Sequence, residues 1–237
     1  MNKQGNAYTF IYAAVMVVVV AALLAFVSQA LKPRQERNEM VAKKIDILQS
    51  INVAASSADA EQKYADIIGE HSYIVDFAGN KVEGVAFDVD LAVELRKPAE
   101  DRLYPVYEAH LEGGEKKYVL QLRGAGLWGP IWGYVAVNSD GSTIYGATFG
   151  HKGETPGLGA EIEKPVFQEQ FVGKQIFDQG TFKSIAVVKG GADAEDKFEV
   201  DAVSGGTITS KGLENMLSDF FKGYESFLKN LERASHE

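Results

Sequence analysis

The chain has 237 residues, with 46% in the hydrophobic set, 24% charged and a net charge of −9. That is too apolar for a disordered chain, and with no basic stripe it excludes a nucleic-acid partner, whose phosphates are held by clustered Lys and Arg. Cysteine is absent, which removes iron–sulfur ligation, thiolate zinc sites, disulfides and thiol nucleophiles, so redox work here needs an organic cofactor or another subunit.

The first element is the run from Thr9 to Ser28, which carries no charge and as a helix spans about 30 Å, one hydrocarbon core. It is expected to cross a membrane and contact lipid, with Tyr8 and Tyr12 as interfacial anchors. Ser28-Gln29-Ala30 resembles a signal-peptide cleavage site, but the apolar run is longer than such peptides carry. A pilin-like anchor would place Glu where Phe10 stands. Lys3 on one flank faces Lys32, Arg34, Arg37, Lys43 and Lys44 on the other, and this charge count favours a cytoplasmic domain. The expected division is an anchor over 1–31, a helical stalk or linker over 32–60 and an extramembrane domain over 61–237. Ile45, Leu48 and Val53 continue a helical face into the stalk, which either stands free or packs on its own domain.

Short β-rich segments follow at Tyr73–Asp76, Val82–Val89, Tyr118–Arg123, Ile131–Asn138, Thr143–Phe149 and Phe182–Val188, separated by glycine-containing turns. Trp132–Asn138 and Thr143–Gly150 are expected to pair as a hairpin around Asp140-Gly141. Pro165–Val172 is a candidate short helix, and Lys211–Arg233 repeats Leu213, Met216, Leu217, Phe220, Phe221, Tyr224, Phe227, Leu228 and Leu231 at steps of three and four. The fold class is therefore α+β: a single N-terminal transmembrane helix, a mainly antiparallel sheet and a C-terminal helix docked on it.

Isolated candidates are weak. His151-x-x-Glu154 has ligand-like spacing on a helix, but it follows a strand and has no further ligands, so no metal is expected. His71 and His110 have no recognisable partners in the sequence, His236 lies in the terminus, and Asp88-Val-Asp90 directs two carboxylates to one side of a supposed strand.

The informative stretch is Asp201-Ala-Val-Ser-Gly-Gly-Thr-Ile-Thr-Ser210, between a strand-like Phe198–Val203 and the terminal helix. Gly205 and Gly206 let backbone N–H groups approach a phosphate, and Ser204, Thr207, Thr209 and Ser210 add hydroxyls. By itself such a run is more often a turn with Thr209 or Ser210 as helix N-cap, and no dinucleotide fingerprint accompanies it.

Ser204-Gly-Gly-Thr-Ile-Thr209 resembles the flavinylation motif of the flavin mononucleotide (FMN)-binding domain family, Asp-x-x-Ser/Thr-Gly-Ala-Thr-x-Ser/Thr. Gly206 stands at the position usually Ala, Asp201, Ser204 and Thr207 match as motif members, and Thr209 matches the acceptor of a covalent phosphoester to FMN. Gly126-Leu-Trp-Gly129 with Gly133-Tyr134, and His151-Lys-Gly-Glu-Thr-Pro-Gly-Leu-Gly159 with Glu161-Ile162, resemble the family's central blocks in the same order. The resemblance implies that Trp128 presents a flat face to the flavin, and that the loop from Glu154 to Gly159 lies against the isoalloxazine. Leu158 would then lie on the ring's face, with Glu154 and Thr155 polar to it. It further implies a one-electron relay within a membrane complex of six subunits that oxidises NADH, reduces quinone and exports Na⁺, with its flavin domain in the periplasm of a bacterial inner membrane. A Mg²⁺-dependent flavin transferase using flavin adenine dinucleotide would attach the cofactor. The alternatives are the flavinylated subunit of an Rnf-type ferredoxin:NAD oxidoreductase, and an anchored binding module without redox activity.

Overall fold

The computed structural model describes residues 6–235, so Lys3 and His236 lie outside the described residues. The chain opens with α1 (Asn6–Ser50), which contains Pro33, and compact units divide between Lys43 and Lys44. Among the described residues, α1 is the one helix long and apolar enough to cross a membrane. Phe10, Leu23, Leu24 and Phe26 are exposed on it, as expected of side chains whose solvent is hydrocarbon. The last turns of α1 differ: Ile47 and Leu48 are fully buried. The second unit thus opens inside the segment expected as a stalk.

Within that unit, α2 (Ala60–Ile67) leads to β1 (Ser72–Val75), β2 (Lys81–Val82), α3 (Leu91–Glu94), β3 (Tyr104–His110), β4 (Lys116–Ala125), β5 (Pro130–Val137) and β6 (Ile144–His151). The six strands form one sheet in the order β2-β1-β3-β4-β5-β6, and every pairing is antiparallel. After β6 come α4 (Pro165–Gln168), the small pair β7 (Phe177–Asp178) and β8 (Thr181–Phe182), and β9 (Ala186–Val188), which pairs in parallel with β10 (Glu199–Asp201). The chain ends in α5 (Thr207–Gly223) and α6 (Glu225–Ser235).

Both faces of the sheet are covered, which explains runs such as Tyr118-Val-Leu-Gln-Leu122 in place of clean polar alternation. On one face Tyr118, Leu120, Leu122, Ile131, Val135 and Phe149 share a core with Leu213, Met216, Leu217, Phe220 and Phe221 of α5. The close approach of α5 needs bare backbone: a Cβ on Gly124 would meet Met216, and one on Gly212 would meet the Ala125 carbonyl. On the other face, Trp132 Nε1–H donates to Asp46 Oδ2 at 3.2 Å, and Tyr107 packs edge-on against Phe87.

The α+β expectation holds, and the hairpin turns where expected. Asp140 Oδ1 accepts from the N–H groups of Ser142 and Thr143, and Gly141 takes the left-handed φ of 67°. Val82–Val89 is not a strand: β2 ends at Val82, and Ala86–Asp88 forms a 3₁₀ turn. Asp88 and Asp90 consequently do not share a strand face, and Asp90 instead accepts from the Ala92 N–H as the N-cap of α3. The expected terminal helix starts earlier, at Thr207, and divides at Tyr224, whose buried hydroxyl donates to the Pro105 carbonyl at 2.6 Å. His71 and His110 do find partners: their rings stack at 4.3 Å, and His110 Nε2 lies 3.0 Å from Glu108 Oε1.

Candidate functional site

The site forms where the end of β6 turns back toward the start of α5. After His151 the chain turns inward and buries Glu154, which is 5% exposed. Burying a carboxylate is costly unless its oxygens are satisfied, and both are. Oε1 accepts from the Trp128 N–H at 2.8 Å, and Oε2 accepts from the Thr209 hydroxyl at 2.5 Å. The Glu154 N–H donates to His151 Nδ1 at 3.1 Å, which leaves the His151 proton on Nε2, 3.4 Å from Glu163 Oε2.

The turn beyond Glu154 closes on itself. Leu158 and Ala160 donate to the Thr155 carbonyl, Gly157 donates to Glu161 Oε1 at 2.9 Å, and Gly157 adopts φ 75°. Thr155 and Leu158 are exposed. Leu158 lies over Gly205, where an added Cβ would meet Leu158 Cδ2. Gly159 fills the narrowest point, since a Cβ there would meet both Glu154 Oε2 and Thr209 Oγ1.

Gly206 caps α5 with no side-chain hydrogen bond to its first amides, so the N–H groups of that turn stay open to an acceptor. Thr209, in the first turn and not ahead of it, is 1% exposed. Its hydroxyl faces Glu154 Oε2 and Gly159. Neither Thr209 nor Ser210 is the cap. Ser210 Oγ accepts from the Val203 N–H at 3.1 Å and ties the approach strand to the helix.

The predicted site residues therefore separate into groups. Glu154, Leu158, Gly159, Gly205, Gly206 and Thr209 come together, with Trp128, a residue 68% exposed, joined through its backbone. Ser204, Thr207 and Thr155 are exposed beside them. Asp201 is turned away: its Oδ1 accepts from the Ala192 N–H. The resemblance implies that Glu154 is polar to the isoalloxazine; in the fold its carboxylate accepts from the Thr209 hydroxyl. Gly126 went unnoticed as a site residue, and only its place beside Trp128 hinted that it packs against Glu154 Oε1.

An open cleft of about 360 Å³ adjoins this centre, lined by Gly157, Glu161, Val166, Gln170, Val203 and Ser204. The residues present fit a phosphate-tethered flavin: a hydroxyl in the first helical turn, uncapped amides, glycines where side chains would block approach, an exposed Leu158 next to Gly157 of the cleft, and an exposed Trp128 whose N–H binds Glu154.

The FMN-binding domain family matches residues 126–222, the class of protein that an anchored α+β domain with this glycine-rimmed hydroxyl is similar to. The NqrC subunit of the Na⁺-translocating NADH-quinone reductase from Haemophilus ducreyi is 33% identical, over 99% of this chain and 97% of that one. Its counterpart from Neisseria meningitidis is 32% identical, over 98% and 97%. The crystal structure of NqrC from Parabacteroides distasonis superposes with a TM-score of 0.77 at 51% identity, covering 84% of this chain and 96% of that one. Shewanella oneidensis NqrC gives 0.70 at 27% identity, covering 84% and 99%. The chain belongs to the NqrC family of Na⁺-translocating NADH-quinone reductase subunits.

Proposed function

We propose that this chain is the electron-relaying NqrC subunit of a Na⁺-pumping NADH:quinone oxidoreductase, carrying FMN through a phosphoester on Thr209. The carrying observation is the Thr209 hydroxyl itself, held in the first turn of α5 under Gly159 and bonded to a buried carboxylate. An ordinary capping threonine would bond its own helix amides, and this one does not cap. Thr209 would hold the phosphate, with Gly205, Gly206, Ser204 and Thr207 around it. Trp128, Thr155 and Leu158 would border the ring. When bound, FMN supplies one-electron transfer.

The protein's own part is to fix the cofactor's position so that electrons pass without a diffusing carrier. It would receive them from a metal centre in neighbouring membrane proteins of a complex of six subunits and pass them to another flavin. Loading requires a flavin transferase acting on the same side of the membrane. On the family reading that side is the periplasm of the inner membrane, against the charge count around α1, because long domains are translocated despite such charges.

Expression with an active flavin transferase should give a yellow protein whose intact mass carries FMN and whose denatured gel band fluoresces. Thr209→Ala should abolish both. A wild-type protein without the adduct overturns the assignment. Protease added to intact spheroplasts should remove the domain, and protection of it would return the domain to the cytoplasm.

A further inference from the structure

The Thr209–Glu154 bond joins residues far apart in sequence, and a neutral amide would fill the same space. A neutral hydroxyl is a weak nucleophile, and the group that takes its proton must lie within hydrogen-bond reach, about 2.6–3.2 Å or slightly closer for a charged acceptor. Glu154 Oε2, at 2.5 Å, meets that condition. The neighbours do not compete. His151 Nδ1 is occupied by the Glu154 N–H, and Ser210 Oγ by the Val203 N–H. Gly126, Gly159, Gly205 and Gly206 bring no side chain.

The carboxylate is also held in one place. The Trp128 N–H fixes one oxygen, and Gly126 backs it so closely that a Cβ would collide with the carboxyl group. The exposed Thr155–Leu158 turn makes its own hydrogen bonds. Neither anchor of Glu154 belongs to that turn, since Oε1 is held by the Trp128 N–H and Oε2 by the Thr209 hydroxyl.

Resting on the reading that Thr209 is the attachment point, we propose that Glu154 is the general base of flavin loading, supplied by the acceptor protein to its own modification. The Thr209 oxygen bonds to the flavin-side phosphorus of a flavin adenine dinucleotide donor as its proton passes to Glu154. The bridging phosphorus–oxygen bond of the pyrophosphate breaks, and AMP leaves with that electron pair on its phosphate oxygen. No redox change accompanies the step.

The test uses the full-length chain, purified without flavin and then incubated with flavin transferase, flavin adenine dinucleotide and Mg²⁺, with the adduct followed by intact mass over time. Glu154→Gln can still accept from Trp128 and donate to Thr209, but it cannot take the proton. Its loading rate should fall by about 10²- to 10⁴-fold, while the circular dichroism and thermal midpoint of the flavin-free protein stay near wild type. Should Glu154→Gln fail to fold, Glu154→Asp and Glu154→Asn, matched in size, replace it, and only the Asp variant should load measurably. Loading of Glu154→Gln, or of Glu154→Asn in its place, at the wild-type rate would overturn the role of Glu154 alone. Absence of any wild-type adduct at Thr209 would remove the attachment reading and this proposal together.

Discussion

The family resemblance ties two carboxylates to the hydroxyl-rich run, and the loop after β6 treats its own quite differently from the way β10 treats the other. Glu154 is buried, held through both oxygens and bonded to the Thr209 hydroxyl. Asp201, the one inside the motif, is exposed and takes the Ala192 N–H. Proximity in sequence put Asp201 eight positions from Thr209, yet the direction of β10 carries its side chain away. The backbone path decides which acid reaches the hydroxyl, and motif membership does not.

The largest effect expected is on the Glu154 side. Thr209→Ala removes the attachment atom and also leaves a buried carboxylate oxygen without its donor. A hydrogen bond to a charged group contributes about 1.5–3 kcal/mol, so the urea midpoint should fall along with the complete loss of adduct. An unchanged midpoint would mean that Glu154 had found another donor. Gly159→Ala tests the same contact from the opposite direction. Its Cβ meets both Glu154 Oε2 and Thr209 Oγ1, and overpacking of this kind costs about 1–3 kcal/mol. The bond should be pushed apart and loading slowed, and a normally loaded Gly159→Ala protein would show that the turn yields more easily than its packing implies.

The sequence revealed elements where local chemistry alone decided them. Asp140-Gly141 placed the hairpin, and the apolar steps from Leu213 to Leu231 identified the terminal helices. It concealed β3 because Pro105 sits in it, and proline argues against an inner strand. In the fold, β3 lies between β1 and β4, and the Pro105 carbonyl receives the Tyr224 hydroxyl. Val82–Val89 misled in the opposite sense, since its β-branched residues are interrupted at Gly84, which takes φ 139°. At the site, the glycine and hydroxyl types were legible from Ser204 to Ser210. The pairing of Glu154 with Thr209 depends on how β6, the turn and α5 pack together, and no periodicity carries that.

A third carboxylate extends the comparison to the sheet's other face. Asp46, near the end of α1, accepts from Trp132 Nε1–H at 3.2 Å. Burial pushes its pKa up to about 6 from 3.8, and the Trp132 bond opposes this only in part. The unfolded chain releases this proton near pH 4 and the folded one near pH 6. Between those values the folded state holds more protons, so stability falls as pH rises, by about 3 kcal/mol for a shift of roughly two units. Asp46→Asn should remove that decline, seen as a flatter dependence of the urea midpoint on pH between about 4 and 6. Parallel wild-type and variant curves over that range would show that Asp46 is better solvated than its packing indicates.

The smallest effect is expected at Asp201. Asparagine keeps an oxygen that can accept from the Ala192 N–H, and exposed substitutions away from buried networks change stability by less than about 0.5 kcal/mol. Asp201→Asn should therefore fold as wild type and accept flavin at an undiminished rate in the intact-mass assay, in contrast to Glu154→Gln. If the motif acid acts at the attachment step, through the transferase or the donor, loading of Asp201→Asn will fall while its stability does not. That split would move Asp201 from a brace of the loop around Ala192 to a recognition element for the loading enzyme, because its side chain is exposed and within an enzyme's reach. A joint fall in loading and stability would instead trace the effect to β10, which pairs with β9 through Asp201 and Val188 and leads directly into the Val203–Ser210 tie that starts α5.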